Sequence, residues 1–172
     1  VSFTNVKKSI AAFEKTLLAP SRFDVFMSGN LTALNAEEKK GLALFINAGC
    51  ANCHSGVGVG GNGAQRFGIF TDYRTLTHSR VDDEGKMKVT GDTKDKDVFK
   101  VQGLRNVGMT YPYFHDGSIA NLDSAIRIMG KAELNKKFTD TEVKSIVAFL
   151  NTLTGDIRDT AKKMPDELKS LK

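Results

Sequence analysis

The chain has 172 residues, 40% of them hydrophobic, which is enough to bury one sizeable core. Its 25 basic and 20 acidic residues are scattered along the chain, so the net charge of +5 does not indicate a nucleic-acid-binding stripe. No apolar run approaches the roughly 18 residues of a membrane span, and the first residues lack the pattern of an export signal.

The first 30 residues predict a helical segment that is broken once. A helix over residues 1–18 carries an apolar stripe, formed by Val6, Ile10, Phe13 and Leu17. Pro20 interrupts this pattern before a short helical piece that carries Phe23 and Phe26. Because an apolar stripe normally lies inside folded structure, we expect the chain to begin at a processed terminus or inside a longer protein.

The next helix has a clear start and a clear end. Asn35 can cap its first turn while Glu38, three residues later, reaches back as in a capping box. The apolar side of this helix consists of Leu42, Leu44, Phe45 and Ile46. Gly49 ends the helix, and Cys50 follows at once.

Residues 56–103 are mostly turn-forming and charged, with short β-like pieces at 66–70 and 98–101. So long a stretch without regular structure indicates loops that a ligand orders. The low aromatic content of 8% and the 16 glycine residues agree with a core that a cofactor completes.

Helical patterns return in the last third of the chain. The first covers residues 121–129 and is closed by Gly130. The second covers residues 141–153, begins at a capping box on Thr139 and is closed by Gly155. We therefore predict a mainly α-helical protein, with a Lys-rich surface segment after its last helix.

The pattern Cys50-Ala51-Asn52-Cys53-His54 is the attachment signature of c-type haem. Two thiols bond to the vinyl groups of the haem, and the adjacent imidazole becomes the proximal ligand of the iron. The two intervening residues let one helical turn present both sulfurs to one haem edge. Cys50, Cys53 and His54 are therefore predicted to bind one haem covalently.

Three other interpretations of the cysteine pair remain open: a thioredoxin-like dithiol, a zinc site completed by His78 or His115, and a simple disulfide. A redox dithiol is expected beside a βαβ pattern, which the sequence lacks. A zinc site normally needs a second close pair of ligands, whereas both other histidines stand alone. The long loops after the motif favour haem.

An electron-carrying haem iron needs a sixth ligand, and a thioether opposite histidine favours Fe(II). Three of the five methionines are more simply explained by solvent exposure or packing: Met27, Met87 and Met164. Met109 and Met129 remain, because both lie in regions that could fold over the haem. Periodicity does not choose between them.

Glycines after the motif match a dinucleotide-binding fingerprint, since Gly56, Gly58 and Gly61 fit G-x-G-x-x-G. They neither follow a predicted strand nor open a helix, so we reject a dinucleotide site. We expect instead that these glycines let the backbone turn closely around the haem edge, because glycine accepts positive φ.

A dense stretch over residues 100–118 mixes charged, aromatic and turn residues, as functional loops often do. Arg105 could bind a haem propionate through charge-assisted hydrogen bonds. His115 could contact a propionate or an interface, with Asp116 orienting its ring. A surface arginine and a His-Asp-Gly turn are the plainer alternatives.

Several segments together resemble the C-terminal haem domain of the bacterial di-haem cytochrome c peroxidases. They are, in chain order, FEKTLLAPSRFD, GLALFINAGCANCHSGVGVGG, FKVQGLRNVGMTYPYFHDG, AIRIMG and EVKSIVAFLNTLTG. The resemblance covers nearly the whole chain and implies a cytochrome c-like fold with long loops around one haem. By this resemblance, residues 1–30 match the segment between the family's two haem domains, and residues 31–172 form the haem domain.

The resemblance also implies roles for individual residues. Met129 becomes the distal ligand of the iron, and Met109 loses that role. The family holds a calcium ion between its domains, with backbone carbonyls at positions matching Thr110 and Pro112 and a third ligand from the other domain. One departure is Gln102, where the family usually has proline, and it removes no ligand.

In that family, the C-terminal haem takes electrons from a small cytochrome or copper protein, and the N-terminal haem reduces hydrogen peroxide. This chain has one C-x-x-C-H motif. If Met129 fills the sixth position, peroxide has no place to bind, so the domain alone should be a poor peroxidase. We therefore expect a relay that delivers electrons to a peroxidatic haem absent from this chain.

Two other redox functions stay open: a free-standing monohaem electron carrier, and a relative of the proteins that mature methylamine dehydrogenase. A structural or zinc-binding module belongs to a different class and would be colourless. Covalent haem attachment occurs outside the bacterial cytoplasm, so we expect a periplasmic protein. The resemblance further implies a homodimer, which the family usually forms.

Overall fold

The computed structural model describes residues 1–156 and is mainly helical, as the sequence predicts. Its helices are α1 (Phe3–Thr16), α2 (Arg22–Met27), α3 (Ala36–Ala48), α4 (Tyr73–Thr77), α5 (Met87–Thr90), α6 (Leu122–Leu134) and α7 (Asp140–Asn151). Three 3₁₀ turns cover Cys50–Asn52, Thr93–Asp95 and Val107–Met109. The strands are β1 (Ala64–Arg66) and β2 (Val98–Lys100). The predicted Lys-rich surface segment lies almost entirely outside the described residues.

Two of the predicted helix starts are confirmed by their caps. At the start of α3, the Asn35 side chain accepts a hydrogen bond from the Glu38 N–H, and the Glu38 carboxylate accepts one from the Asn35 N–H. Thr139 and Glu142 form the same reciprocal pair at the start of α7. Each cap satisfies backbone donors that the first turn of a helix leaves free. Gly49 ends α3 with a φ of 102°.

The predicted end of α6 at Gly130 is wrong. The helix continues through Gly130 and ends at Leu134, where Asn135 adopts the left-handed conformation. A Cβ atom at Gly130 would lie 2.8 Å from the ring of Phe138, so this glycine permits close packing and does not stop the helix. The end of α7 was also predicted too late, because the helix stops at Asn151.

The main core lies between α3, α6 and α7. Its buried apolar residues are Phe45, Ile126, Phe138, Val143, Ile146, Phe149, Leu150 and Leu153, with Val59 from the loop after the cysteine motif. Helices α3 and α7 make the most extensive contact between any two elements of the described chain. They meet at Gly41, where a Cβ atom would lie 1.9 Å from the backbone oxygen of Ser145. The close approach of the two helices therefore requires glycine.

The N-terminal helices differ in how they contact the rest of the described chain. Every residue of α1 is exposed, including Val6, Ile10 and Phe13 of the predicted apolar stripe, whereas Leu17 follows the helix and is half-buried. Helix α2 packs on the core, since the ring centroids of Phe23 and Phe149 lie 5.5 Å apart and the Phe23 N–H donates to the Thr152 carbonyl. The domain boundary at residue 30 stays a prediction.

The long region between the motif and α6 consists largely of loops, as expected. Strands β1 and β2 pair antiparallel, with Gln65 opposite Phe99. The first β-like piece was predicted over 66–70, whereas β1 covers Ala64–Arg66. Within residues 1–156, none of the helices has the length and apolar character needed to cross a membrane.

We expect Gly41→Ala to lower the free energy of unfolding by about 3 kcal/mol, because the added methyl group overpacks the contact between α3 and α7. Urea denaturation at neutral pH measures the loss. Gly63→Ala is the matched control, because a Cβ atom there meets nothing within 4 Å. Equal stability of the two variants would contradict this account of the helix contact.

Candidate functional site

A cavity of about 760 Å³ opens beside the cysteine motif. Its wall is mainly apolar and comes from α3, α6, α7, both strands and the loop over residues 101–115. The candidate ligands on this wall are Cys50, Cys53, His54 and Met129. Cavities of this size and character bind small molecules and cofactors.

The end of α3 determines how the motif enters the cavity wall. Gly49 turns the chain, and the following residues form the 3₁₀ turn Cys50–Asn52. The backbone N–H groups of Cys53 and His54 both donate to the Cys50 carbonyl, at 3.3 and 2.9 Å. This tight turn brings both thiols and the imidazole to the same cavity.

The surroundings of His54 favour the neutral imidazole that a metal ligand requires. Burial lowers its pKa, and the backbone carbonyl groups of Gln102 and Val59 oppose this shift. Its Nδ1 atom is buried and makes no hydrogen bond of good geometry to the described residues. The ring centroids of His54 and Phe45 lie 6.4 Å apart.

The geometry does not favour the three other interpretations of the cysteine pair. Both thiols are free, so the structure contains no disulfide between them. Burial raises the pKa of the Cys50 thiol to about 11, whereas a redox dithiol needs an accessible thiolate. No group of three or more His, Cys, Asp or Glu side chains in residues 1–156 could hold a zinc ion. His78 ends α4, away from the cavity wall.

Met129 and Met109 have different positions relative to the cavity. Met129 projects from α6 and lines the cavity that contains His54. Met109 is 69% exposed and does not line it. Met27 and Met87 also lie off the cavity wall, and Met164 lies outside the described residues. Ligation of the iron by Met129 stays a prediction. Among the methionines of residues 1–156, Met129 is the one that lines the same cavity as His54.

The residues around the cavity fit a covalently bound haem. Two unpaired thiols, a neutral imidazole and a thioether converge on one apolar space. These are the attachment groups and axial ligands that c-type haem uses. The buried Nδ1 atom of His54 also fits, because a haem-ligating histidine binds the iron through its other ring nitrogen.

Arg105 is not on the cavity wall. Its guanidinium donates two hydrogen bonds to the Asp24 carboxylate, at 2.8 and 2.6 Å, and a third to the Ala19 carbonyl. Its Nε–H donates to the Val57 carbonyl at 2.6 Å. These contacts join α2 to the loop after the motif. The predicted bond to a propionate stays a prediction, and the contacts seen here give Arg105 a structural role.

His115 does line the cavity, and it belongs to an aromatic cluster that sequence reasoning missed. Its ring stacks on Phe99 with centroids 4.0 Å apart and meets Tyr73 edge-on at 5.4 Å. Burial raises the pKa of Tyr73 to about 12. Asp116 accepts a hydrogen bond from the Ser118 N–H, and its predicted role in orienting the His115 ring stays a prediction. Aromatic residues so far apart in the chain give no sequence signal for this cluster.

Thr110, Pro112 and Glu133 also lie on the cavity wall. Thr110 and Pro112 are exposed and follow the 3₁₀ turn Val107–Met109. Sequence reasoning missed Glu133, although it lies one helical turn after Met129 on α6. The Glu133 carboxylate accepts a hydrogen bond from the Gly68 N–H at 2.6 Å, and burial raises its pKa.

A family model for cytochrome c matches residues 38–154 of this chain. The chain is 46% identical over 160 residues to a cytochrome c551 peroxidase of Nitrosomonas europaea, covering 92% of this chain and 47% of that protein. It is 42% identical over 158 residues to a cytochrome c551 peroxidase of Pseudomonas aeruginosa, covering 90% of this chain and 45% of that protein.

A similar solved structure is a MauG-like protein associated with microbial copper homeostasis. It aligns with a TM-score of 0.68 at 27% identity, over 84% of this chain and 51% of the other. These matches confirm the cytochrome c-like fold. The chain spans about half the length of the curated relatives named here.

We expect Asp24→Asn to lower the free energy of unfolding by about 1–2 kcal/mol at neutral pH, because it removes the charged partner of Arg105 at a partly exposed site. Arg105 holds the pKa of Asp24 well below its usual range. The pair therefore stabilises the fold fully above about pH 4, and this stabilisation is lost as the pH falls through the native-state pKa.

Urea denaturation of wild type and D24N between neutral and acidic pH tests this expectation. Asp82→Asn is the charge-matched control, since Asp82 is exposed and forms no ion pair within residues 1–156. A stability difference between wild type and D24N that persists unchanged in acid would argue against the ion pair.

Proposed function

The chain belongs to the cytochrome c family, and we propose that it relays electrons through one covalently bound haem to a peroxidatic haem outside this chain. The observation that carries this proposal is the shared position of His54 and Met129 on one apolar cavity. Two protein ligands for one iron describe a site that exchanges electrons and does not bind substrate.

Each residue of the motif has a distinct task. Cys50 and Cys53 hold the haem through thioether bonds, and His54 offers a neutral nitrogen as the proximal ligand. Met129 offers a thioether sulfur as the distal ligand. Bound haem supplies one-electron chemistry between Fe(III) and Fe(II), and the thioether favours the reduced state.

The proposed ligand pair explains why this domain alone should be a poor peroxidase. Hydrogen peroxide must reach an open coordination position on the iron, and Met129 occupies that position in the proposed site. Reduction of peroxide to water would therefore need a second haem, outside this chain.

The relatives support a role as one half of such an enzyme. The Nitrosomonas and Pseudomonas proteins are named cytochrome c551 peroxidases, and this chain matches about half of each. The proposed electron donor is a small soluble cytochrome or cupredoxin. Because covalent haem attachment takes place outside the bacterial cytoplasm, we place the protein in the periplasm.

Calcium and dimerisation belong to the same proposal. Thr110 and Pro112 both line the cavity, and their backbone carbonyls would supply the oxygen ligands that Ca²⁺ prefers. A further ligand would come from the second haem domain. The resemblance to the di-haem peroxidases supports this ion and a homodimer.

Replacement of Met129 by alanine tests the proposed distal ligand. We expect the reduced M129A holoprotein to bind carbon monoxide, because its iron has an open position. Its reduction potential should fall by on the order of 100 mV, a fraction of the range that axial ligands span. Visible spectroscopy and spectroelectrochemistry measure both effects.

Met109→Ala is the matched control, because Met109 is exposed and lies off the cavity wall. The M109A variant should keep the wild-type potential and should not bind carbon monoxide. If reduced wild type readily binds carbon monoxide, or if M109A and not M129A opens the iron, the proposed ligand pair is wrong.

A further inference from the structure

The loop that follows His54 is fastened to the segment over residues 101–105. The Val101 N–H donates to the Gly63 carbonyl at 2.9 Å, and the Leu104 N–H reaches the Gly58 carbonyl at 3.2 Å. Arg105 adds its bond to Val57. Together these contacts hold the backbone of Gln102 over the loop, next to the His54 imidazole.

Gly60 lies where this segment, the loop and His54 meet. A Cβ atom at Gly60 would lie 2.4 Å from the Gln102 carbonyl oxygen and 3.1 Å from the Nδ1 atom of His54. The first distance is shorter than any van der Waals contact allows. A side chain at this position would therefore displace the Gln102 carbonyl, the imidazole or both.

The Nδ1 atom of His54 needs an acceptor for its proton. It is buried, and it makes no hydrogen bond of good geometry within residues 1–156. The backbone carbonyls of Gln102 and Val59 both face His54, and the Val59 carbonyl already accepts a hydrogen bond from the Leu104 N–H at 3.2 Å. The Gln102 carbonyl is therefore the available acceptor, and it is also the group that a Cβ atom at Gly60 would meet. An unsatisfied buried N–H costs free energy, so a small rotation of the ring toward this carbonyl is favourable.

We propose that Gly60 is a positioning residue for His54: its missing side chain lets the Gln102 carbonyl accept the Nδ1–H hydrogen bond and thereby sets the strength of the axial ligand. This proposal rests on the proposed function, in which His54 ligates the haem iron. An acceptor at Nδ1–H makes a ligating histidine more basic and fixes its orientation. A more basic ligand favours Fe(III) and lowers the reduction potential.

Gly61 provides a control that distinguishes the effect of crowding His54 from the effect of backbone strain. Gly60 has a φ of +119° and Gly61 has a φ of +85°, so an alanine is strained at either position. A Cβ atom at Gly61 meets only the Gly103 nitrogen, at 4.0 Å. Replacing Gly61 therefore introduces the strain without crowding His54.

The test compares the G60A and G61A holoproteins by spectroelectrochemistry. We expect G60A to shift the equilibrium between Fe(III) and Fe(II) about tenfold toward Fe(II), which is about 59 mV for one electron. We expect G61A to shift it by no more than about twofold. Urea denaturation should show that both variants lose stability, since both carry a strained φ. Equal potentials in G60A and G61A would overturn the proposal.

A measurement on the wild type provides a second, independent test. In reduced holoprotein with ¹⁵N-labelled histidine, the Nδ1 proton of His54 should give an NMR signal that exchanges slowly with solvent. A rapidly exchanging proton overturns the proposal. If G60A does not incorporate haem, the exchange rate of the His54 Nδ1 proton in the wild type is the test of the proposal. Absence of haem-shifted ring signals from His54 would instead refute the proposed function, because the imidazole would not be a ligand.

Discussion

The close contact between α3 and α7 at Gly41 fixes the geometry on which the proposed haem site depends. Helix α3 leads through Gly49 directly into the cysteine motif, so its position determines where both thiols and His54 enter the cavity. Helix α7 places Ile146 and Leu150 on the same wall. A side chain at Gly41 would separate the helix that carries the motif from the helix that backs the cavity.

The cavity agrees with the composition of the chain. With 16 glycines and no tryptophan, the protein builds its core around a space that a flat apolar cofactor can fill. Burial beside this space lowers the pKa of the His54 imidazole, which favours its neutral form, and raises the pKa of the Cys50 thiol to about 11.

Local patterns in the sequence predicted the parts of the fold that depend on neighbouring residues. The capping boxes at Asn35 and Thr139 and the turn at Gly49 follow from hydrogen bonds within a few residues. The prediction that Gly130 ends α6 failed because glycine is needed there to make room for the ring of Phe138. Sequence spacing does not reveal that contact. A glycine needed for packing and a glycine that ends a helix look alike in sequence.

The candidate site was predictable to different degrees for the same reason. The cysteine motif is contiguous, and the side chains predicted to bind haem, Cys50, Cys53 and His54, line one cavity. Sequence spacing did not choose between Met109 and Met129 as the distal ligand. The fold distinguishes them, because Met129 on α6 lines the cavity and Met109 does not. Arg105 looked like a propionate ligand, yet its partner Asp24 lies 81 residues away in the chain. Long-range ion pairs of this kind have no local signature.

The central claim is that one haem is bound covalently to this chain and is closed to external ligands. The most direct measurement combines the intact mass of the protein matured in a cytochrome c-producing host with a visible spectrum of its reduced form under carbon monoxide. The account predicts a mass that exceeds the polypeptide by one haem, and a spectrum that carbon monoxide does not change. A colourless protein, two haems per chain or ready binding of carbon monoxide would contradict it.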